Sequence, residues 1–135
     1  MNRCSFRPVF SITLCCVATA SLAHHSYSMF DYDHHLTLSG TVAKFEWKNP
    51  HAYLWVYVPS KENSGKYDLW AFENGSPAVL AKQGWSKEAF PSNAKVTIEY
   101  APLRDGKGGG HCLKVTLPDG RTLICPGPGS VPEGN

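Results

Sequence analysis

The sequence predicts a mostly-β domain of the OB-fold type, a five-stranded barrel with one short helix between strands 3 and 4 and an extra C-terminal hairpin strand. Three observations predict it. Apolar residues alternate with period 2 in five segments after residue 35, one helix-start signal falls between the third and fourth of them, and 135 residues fit a single domain. A β-sandwich needs about seven strands, which the chain does not offer. A composition of 42% hydrophobic and 18% charged residues supplies a core and excludes disorder for the bulk of the chain.

The first strand spans 36 to 47, with Leu36, Leu38, Gly40 and Val42 on one face and Thr37, Ser39 and Thr41 on the other; Asn49-Pro50 ends it. The second follows at 51 to 58, where Ala52, Leu54, Val56 and Val58 alternate with His51, Tyr53, Trp55 and Tyr57, before the polar turn Glu62-Asn63-Ser64-Gly65-Lys66. The third runs from Tyr67 to Glu73. Ser76 as N-cap, Pro77 at the first helical position and Gly84 as stop frame a helix over Ala78 to Gln83. Lys95 to Ala101 and His111 to Leu117 are the fourth and fifth strands, and Gly106 to Gly110 between them reads as a flexible loop. Pro118-Asp119-Gly120 then turns the chain into a hairpin strand at 121 to 125. With a two-residue Asp119-Gly120 tip, Lys114 faces Cys125 and Cys112 lies diagonally across on the same face. Trp47, Trp70 and Trp85 are expected to be buried around the barrel and helix.

The ends of the chain differ from this domain. Arg3 and Arg7 precede a short apolar stretch from Val9 to Ala20, and Ser21-Leu22-Ala23 offers a cleavage signal, so residues 1–23 read as a secretory signal peptide rather than a membrane span, which needs about 20 apolar residues. Cleavage after Ala20 is chemically acceptable too. Residues 24–35 form an N-terminal arm, 36–125 the barrel domain, and 126–135 a tail expected to be disordered, too rich in Pro and Gly to pack. Export makes the compartment periplasmic or extracellular. Cleavage removes Cys4, Cys15 and Cys16, leaving Cys112 and Cys125; an even count in an oxidising compartment favours one disulfide over two thiols. It also takes two of the 13 basic residues, so 11 remain against 11 acids, and a neutral domain lacks the electrostatic footprint of a nucleic-acid binder.

Several segments together form a pattern: His24-His25-Ser26, Met29-Phe30-Asp31, Gly40-Thr41-Val42-Ala43-Lys44-Phe45-Glu46-Trp47-Lys48-Asn49-Pro50-His51, Gly75-Ser76-Pro77, Gly84-Trp85 and Pro102-Leu103-Arg104-Asp105-Gly106. The pattern resembles a family of small exported bacterial proteins classed as a domain of unknown function, and it covers essentially the whole mature domain. The resemblance implies export and brings no activity. Cys112 and Cys125 are not part of it.

Catalysis has no positive sign, because no nucleophile elbow, His-Glu-x-x-His helix or dinucleotide fingerprint occurs and Ser76 reads as a cap. Glu46, Glu73 and Glu99 are carboxylates on strands, the usual place for solubilising charge. The candidate chemistry lies in the histidines. His24, with a free α-amine after cleavage at Ala23, and His25 offer adjacent nitrogens, and a further imidazole from His51 or His111 would complete the nitrogen-rich set that copper(II) prefers. The plainer alternative is a solvated arm, holding also His34 and His35, with His51 as a turn residue. No other cofactor is implied. The second candidate is a ligand face of Tyr53, Trp55 and Tyr57, outward on the strand that OB-folds use for binding, suited to a protein, sugar or small aromatic partner. Its alternative is that Tyr27, Met29 and Phe30 of the arm cover the stripe and bury Trp55.

N-terminal sequencing of the exported protein is expected to read His24 first. That start supplies an α-amine of pKa about 8, which a metal can deprotonate near neutral pH. A start at Ser21 would remove the amine from His24 and with it the chelate.

Overall fold

The structure, a computed structural model, describes residues 27–91 and 93–127. The expected signal peptide at residues 1–23, His24, His25 and most of the tail lie outside the described residues. Strands β1 (Leu36–Glu46), β2 (Tyr53–Pro59) and β3 (Tyr67–Glu73) precede helix α1 (Pro77–Lys82), and β4 (Lys95–Pro102), β5 (Gly109–Thr116) and β6 (Thr122–Ile124) follow it. The sheet order is β3-β2-β1-β4-β5-β6, and parallel pairing of β3 with β5 closes the first five strands into a barrel, leaving β6 outside the ring. This is the OB-type arrangement expected. β1 serves two neighbours, pairing with β4 through Leu36–Thr41 and with β2 through Thr41–Glu46, with a bulge between Val42 and Lys44.

Inward alternation fills the barrel: Leu54, Val56, Phe72, Ile98 and Val115 are all inaccessible to solvent, and Leu80 of α1 joins them from one end. Pro77 opens the helix and Gly84, at φ +81°, follows its end. Ser76 has the extended backbone of an N-cap, but its hydroxyl makes no capping bond. Beside the helix Phe45, Trp47, Trp85 and Phe90 pack as an aromatic cluster, with ring centroids 5.0 to 5.7 Å apart. Trp85 is buried and its Nε1 donates to the Ile124 carbonyl at 2.8 Å. Trp47 and Trp70 are only half-buried, less than expected, because each packs against the core cluster from outside it.

Two readings of the loops need correction. Gly109 and Gly110 are not in a flexible loop: they are buried and begin β5. A Cβ on Gly109, at φ +134°, would collide with the Ala71 carbonyl oxygen, and one on Gly110 with that of Ala101, so glycine here lets three backbones meet where the barrel closes. The hairpin is also one residue out of the expected register. Lys114 faces Ile124, not Cys125, because Leu117 and Arg121 pair around a three-residue tip, Pro118-Asp119-Gly120, with Gly120 at φ +85°.

Cys125 follows β6 with its N–H on the Leu113 carbonyl, and it forms a disulfide with Cys112 across 5.6 Å between Cα atoms. Both cysteines are inaccessible to solvent. Replacing both by Ala is expected to lower unfolding free energy in denaturant by about 3 kcal/mol, the loop-closure value for a sequence separation of 13. An unchanged midpoint would mean that the hairpin is held without its bridge.

Candidate functional site

The β2–β3 hairpin and the barrel closure together create a row of polar side chains. Tyr53 lies opposite Glu73 across β2 and β3, and Glu73 lies opposite His111 across β3 and β5, so three strands present these residues on one face. Pairing continues past the strand ends, with the Asn74 N–H on the Ala52 carbonyl and the Ala52 N–H on the Gly75 carbonyl, which carries His51 alongside Glu73. His51 Nδ1 is 2.7 Å from Glu73 Oε1, and the Tyr53 hydroxyl donates to Glu73 Oε2 at 3.0 Å. Burial and then this bond to a carboxylate push the Tyr53 phenol up to about 12. With Nδ1 assigned as the proton carrier facing Glu73, Nε2 is the lone-pair nitrogen of His51. His51 lines a cleft of about 290 Å³ together with Tyr27, Pro50, Gly75, Ser76, Val79, Pro126 and Gly127.

His111 lies beneath this cleft's rim. It is 1% exposed, and neither ring nitrogen has a hydrogen-bond partner among the described residues. Around it stand the rings of Tyr27 and Phe30, each at 5.5 Å, and Tyr32 at 5.7 Å. Burial, and secondarily the charge of His51, lower its pKa to about 4. The Tyr32 hydroxyl is likewise buried without a partner, and burial raises its pKa. Three unpaired polar atoms in one place are costly to leave unmade. Apolar packing offsets the cost: Phe30, Ala101 and Leu113 form a second small core, with Tyr27, Tyr32 and Leu103 against it. The arm is fixed there by backbone bonds from Asp31 N–H to the Pro102 carbonyl and from Arg104 N–H to the Met29 carbonyl, at 2.8 and 2.9 Å.

The sequence-predicted residues are thus partly gathered. His51 and His111 both flank Glu73, while His24 and His25 lie outside the described residues. Among the described residues no group of three or more His, Cys, Asp or Glu side chains is arranged to hold a metal. His34 and His35 are exposed and pair elsewhere, with Asp31 at 2.9 Å and Glu99 at 3.7 Å. Glu46 is held by Lys44 and Lys48, which lower its pKa to about 2. Glu99 meets Lys114 at 2.9 Å. The aromatic stripe does not act as a unit: Tyr53 belongs to the Glu73 row, Trp55 is half-buried with Nε1 enclosed and unpaired, and Tyr57 is exposed. Tyr27 and Phe30 pack on His111 and Met29 is 51% exposed, so the described arm docks beside Ala101 and Leu113 instead of covering the stripe. Tyr32 does not fit a solvated arm, because its ring belongs to the same cluster. Pro126 and Gly127, assigned to a non-packing tail, are packed: a Cβ on Gly127 would strike the His111 ring.

A family model described as a family of unknown function (DUF6152) matches residues 12–112. The match ends at Cys112, so β6 and Cys125 lie beyond it. No curated protein and no solved structure matches the chain.

His111 gives the fold a pH dependence whose sign is set by its lowered pKa. In the unfolded chain the imidazole protonates near 6.5, in the fold only near 4, so its contribution is complete above pH 6.5 and is lost as pH falls towards 4. Denaturant unfolding of metal-free protein is expected to show about 2 to 3 kcal/mol of this loss between pH 7 and about pH 4.5. His111→Leu should flatten that slope. An equal slope in both proteins would contradict a buried, neutral His111.

Proposed function

We propose that this chain, which belongs to the DUF6152 family of unknown function and inherits no activity from it, is an exported, non-catalytic binding module that takes copper(II) at the His51 cleft. His24 and His25 supply the remaining nitrogens. The observation that carries this reading is the 2.7 Å contact of His51 Nδ1 with Glu73. Metal-binding histidines commonly give their second ring nitrogen to a carboxylate, which fixes the tautomer and raises the basicity of the ligating nitrogen. Tyr27 at the cleft rim is two residues after His25, a backbone span of at most about 7 Å. An imidazole- and amine-rich set suits copper(II) better than the oxygen-preferring cations, and a disulfide agrees with an oxidising compartment.

A second reading has its own support. Tyr57 and Tyr67, 45% and 62% exposed, border a groove of about 370 Å³ away from the histidines, which suits an accessory domain that docks a protein, sugar or small aromatic partner. It is the reading that survives a silent copper titration.

Copper(II) added to the mature, metal-free protein is expected to give one bound ion per chain with nitrogen couplings in its electron paramagnetic resonance spectrum. Glu73→Gln should weaken binding by about 10- to 100-fold through loss of the orienting carboxylate, and His51→Ala by at least as much. Wild-type affinity and an unchanged spectrum in His51→Ala would remove the cleft from the site.

A further inference from the structure

Strand β1 changes partner at Thr41, and the change opens a groove. Thr41 is the first residue of β1 paired with β2, opposite Tyr57, and the last paired with β4, opposite Lys95. Strand β2 runs on past Tyr57 to Pro59 with only β3 beside it, Pro59 lying opposite Tyr67. The overhanging end of β2 and β3 thus diverges from the start of β4, and the notch between them is the groove of about 370 Å³. Its two sides differ in chemistry. Tyr57 and Tyr67, both exposed, form one side and stand diagonally across the β2–β3 ladder, since Tyr57 lies opposite Leu69. Lys95, Thr97 and Thr116 of β4 and β5 form the other, and Ser39 and Thr41 of β1 lie between.

The polar side is rich in donors. Lys95 Nζ donates to Thr41 Oγ1 at 2.8 Å, which leaves two ammonium hydrogens for a ligand, and Ser39 Oγ and Thr97 Oγ1 share one hydrogen across 3.0 Å, which leaves the other. Beyond Thr41, Tyr57 and Tyr67 the groove reaches a second cation, Lys66. No carboxylate lines it among the described residues. Asp119, next to Pro118, is held by Arg121 at 2.7 Å, and Glu62 and Asp68 line a separate cavity with Trp70. Lys44, Lys48, Lys107 and Lys114 all meet carboxylates, whereas Lys66 and Lys95 meet none among the described residues. We propose that this groove binds a carboxylated oligosaccharide, a chain of pyranose rings with one carboxylate on each. The C–H face of a pyranose packs on an aromatic ring, and its rim of oxygens accepts from hydroxyl and ammonium donors, which are the two sides of the groove. Lys95 and Lys66 meet the carboxylates as single-point cations, and no arginine fork stands beside them to favour phosphate. A nucleic-acid chain would need many more cations than these two. The proposal rests on the reading of this groove as a docking site and is independent of copper.

Tetragalacturonate is titrated into the mature wild-type protein at low salt while amide resonances are followed by NMR. Shifts are expected to cluster at Ser39–Thr41, Tyr57, Tyr67 and Lys95–Thr97, and binding should weaken severalfold as salt is raised. Tyr57→Ala and Tyr67→Ala should each weaken binding about tenfold through lost stacking. Lys95→Gln should weaken it by about threefold and flatten the salt dependence, whereas Lys87→Gln, an exposed charge outside the groove, should change neither. Methyl-esterified tetragalacturonate keeps the rings and loses the charge, so it tests the wild-type protein without any substitution; it should bind about tenfold more weakly. Equal affinity for acid and ester overturns the carboxylated class, and groove shifts with the ester then leave the docking reading standing. Equal losses in Lys95→Gln and Lys87→Gln also overturn the proposal, since they report general charge attraction. Groove shifts with benzoate but not with tetragalacturonate overturn it and leave the docking reading standing. Absence of groove shifts with acid, ester and benzoate alike overturns it and takes sugars and small aromatic partners out of that reading as well.

Discussion

Parallel pairing of β3 with β5 is the constraint on which the rest of the structure depends. It turns a curled sheet into a barrel, and it is possible because Gly109 and Gly110 present no side chain where the Ala71 and Ala101 carbonyls approach. Once Ala71, Phe72 and Glu73 are matched to Gly109, Gly110 and His111, the register fixes the facing of every neighbouring side chain. Phe72 enters the core, Glu73 faces outward beside His111, and Tyr53 joins from β2. His51 reaches the row because the β2–β3 ladder runs on through Ala52 and Gly75. The hairpin and the closure together thus assemble the candidate site from three chain segments, the closure adding His111.

The row needs a roof, because an exposed sheet face bearing His111 and Leu113 would be wet and partly apolar. The arm supplies one side of it with Tyr27, Phe30 and Tyr32, and the residues after Cys125 supply the other. These two segments differ in how they are held. The arm has backbone bonds to the end of β4 and the loop after it, whereas the second segment follows the Cys112–Cys125 bridge. Apolar burial around His111 stabilises the roof at the same time as it strips the ring of hydrogen-bonding partners, and this opposition keeps the imidazole neutral.

Much of the fold was legible in the sequence because local signals sufficed. Alternation at Ala52–Val58, the Pro77 start and Gly84 stop, and the Cys112/Cys125 pair each report on their own neighbourhood. What was not legible was non-local. Gly109 and Gly110 sit in a run with the composition of a loop, and only the backbones packed against them reveal why they begin a strand. Pro118-Asp119-Gly120 offered two turn geometries, and the choice of three loop residues shifted the hairpin by one. His51 and His111 were recognisable as candidate ligands, yet their link through Glu73 depends on a parallel pairing 38 residues apart in sequence, which no periodicity encodes. Glu73 could have been paired with Tyr53 from the hairpin about Asn63. Tyr27, Phe30 and Tyr32 carried a weaker signal, three aromatic residues within one short segment of the arm.

The central claim, that barrel closure through Gly109 and Gly110 brings His111 to the Glu73 row, is tested most directly by amide hydrogen exchange in Gly109→Ala measured by NMR. Closure through glycine predicts selectively faster exchange in Ala71–Glu73 and Gly109–His111, together with solvent access to the His111 ring, while the β1–β2 amides keep their protection. Unchanged exchange across β3 and β5, or a His111 ring still shut off from solvent despite an opened β3–β5 ladder, would contradict the account.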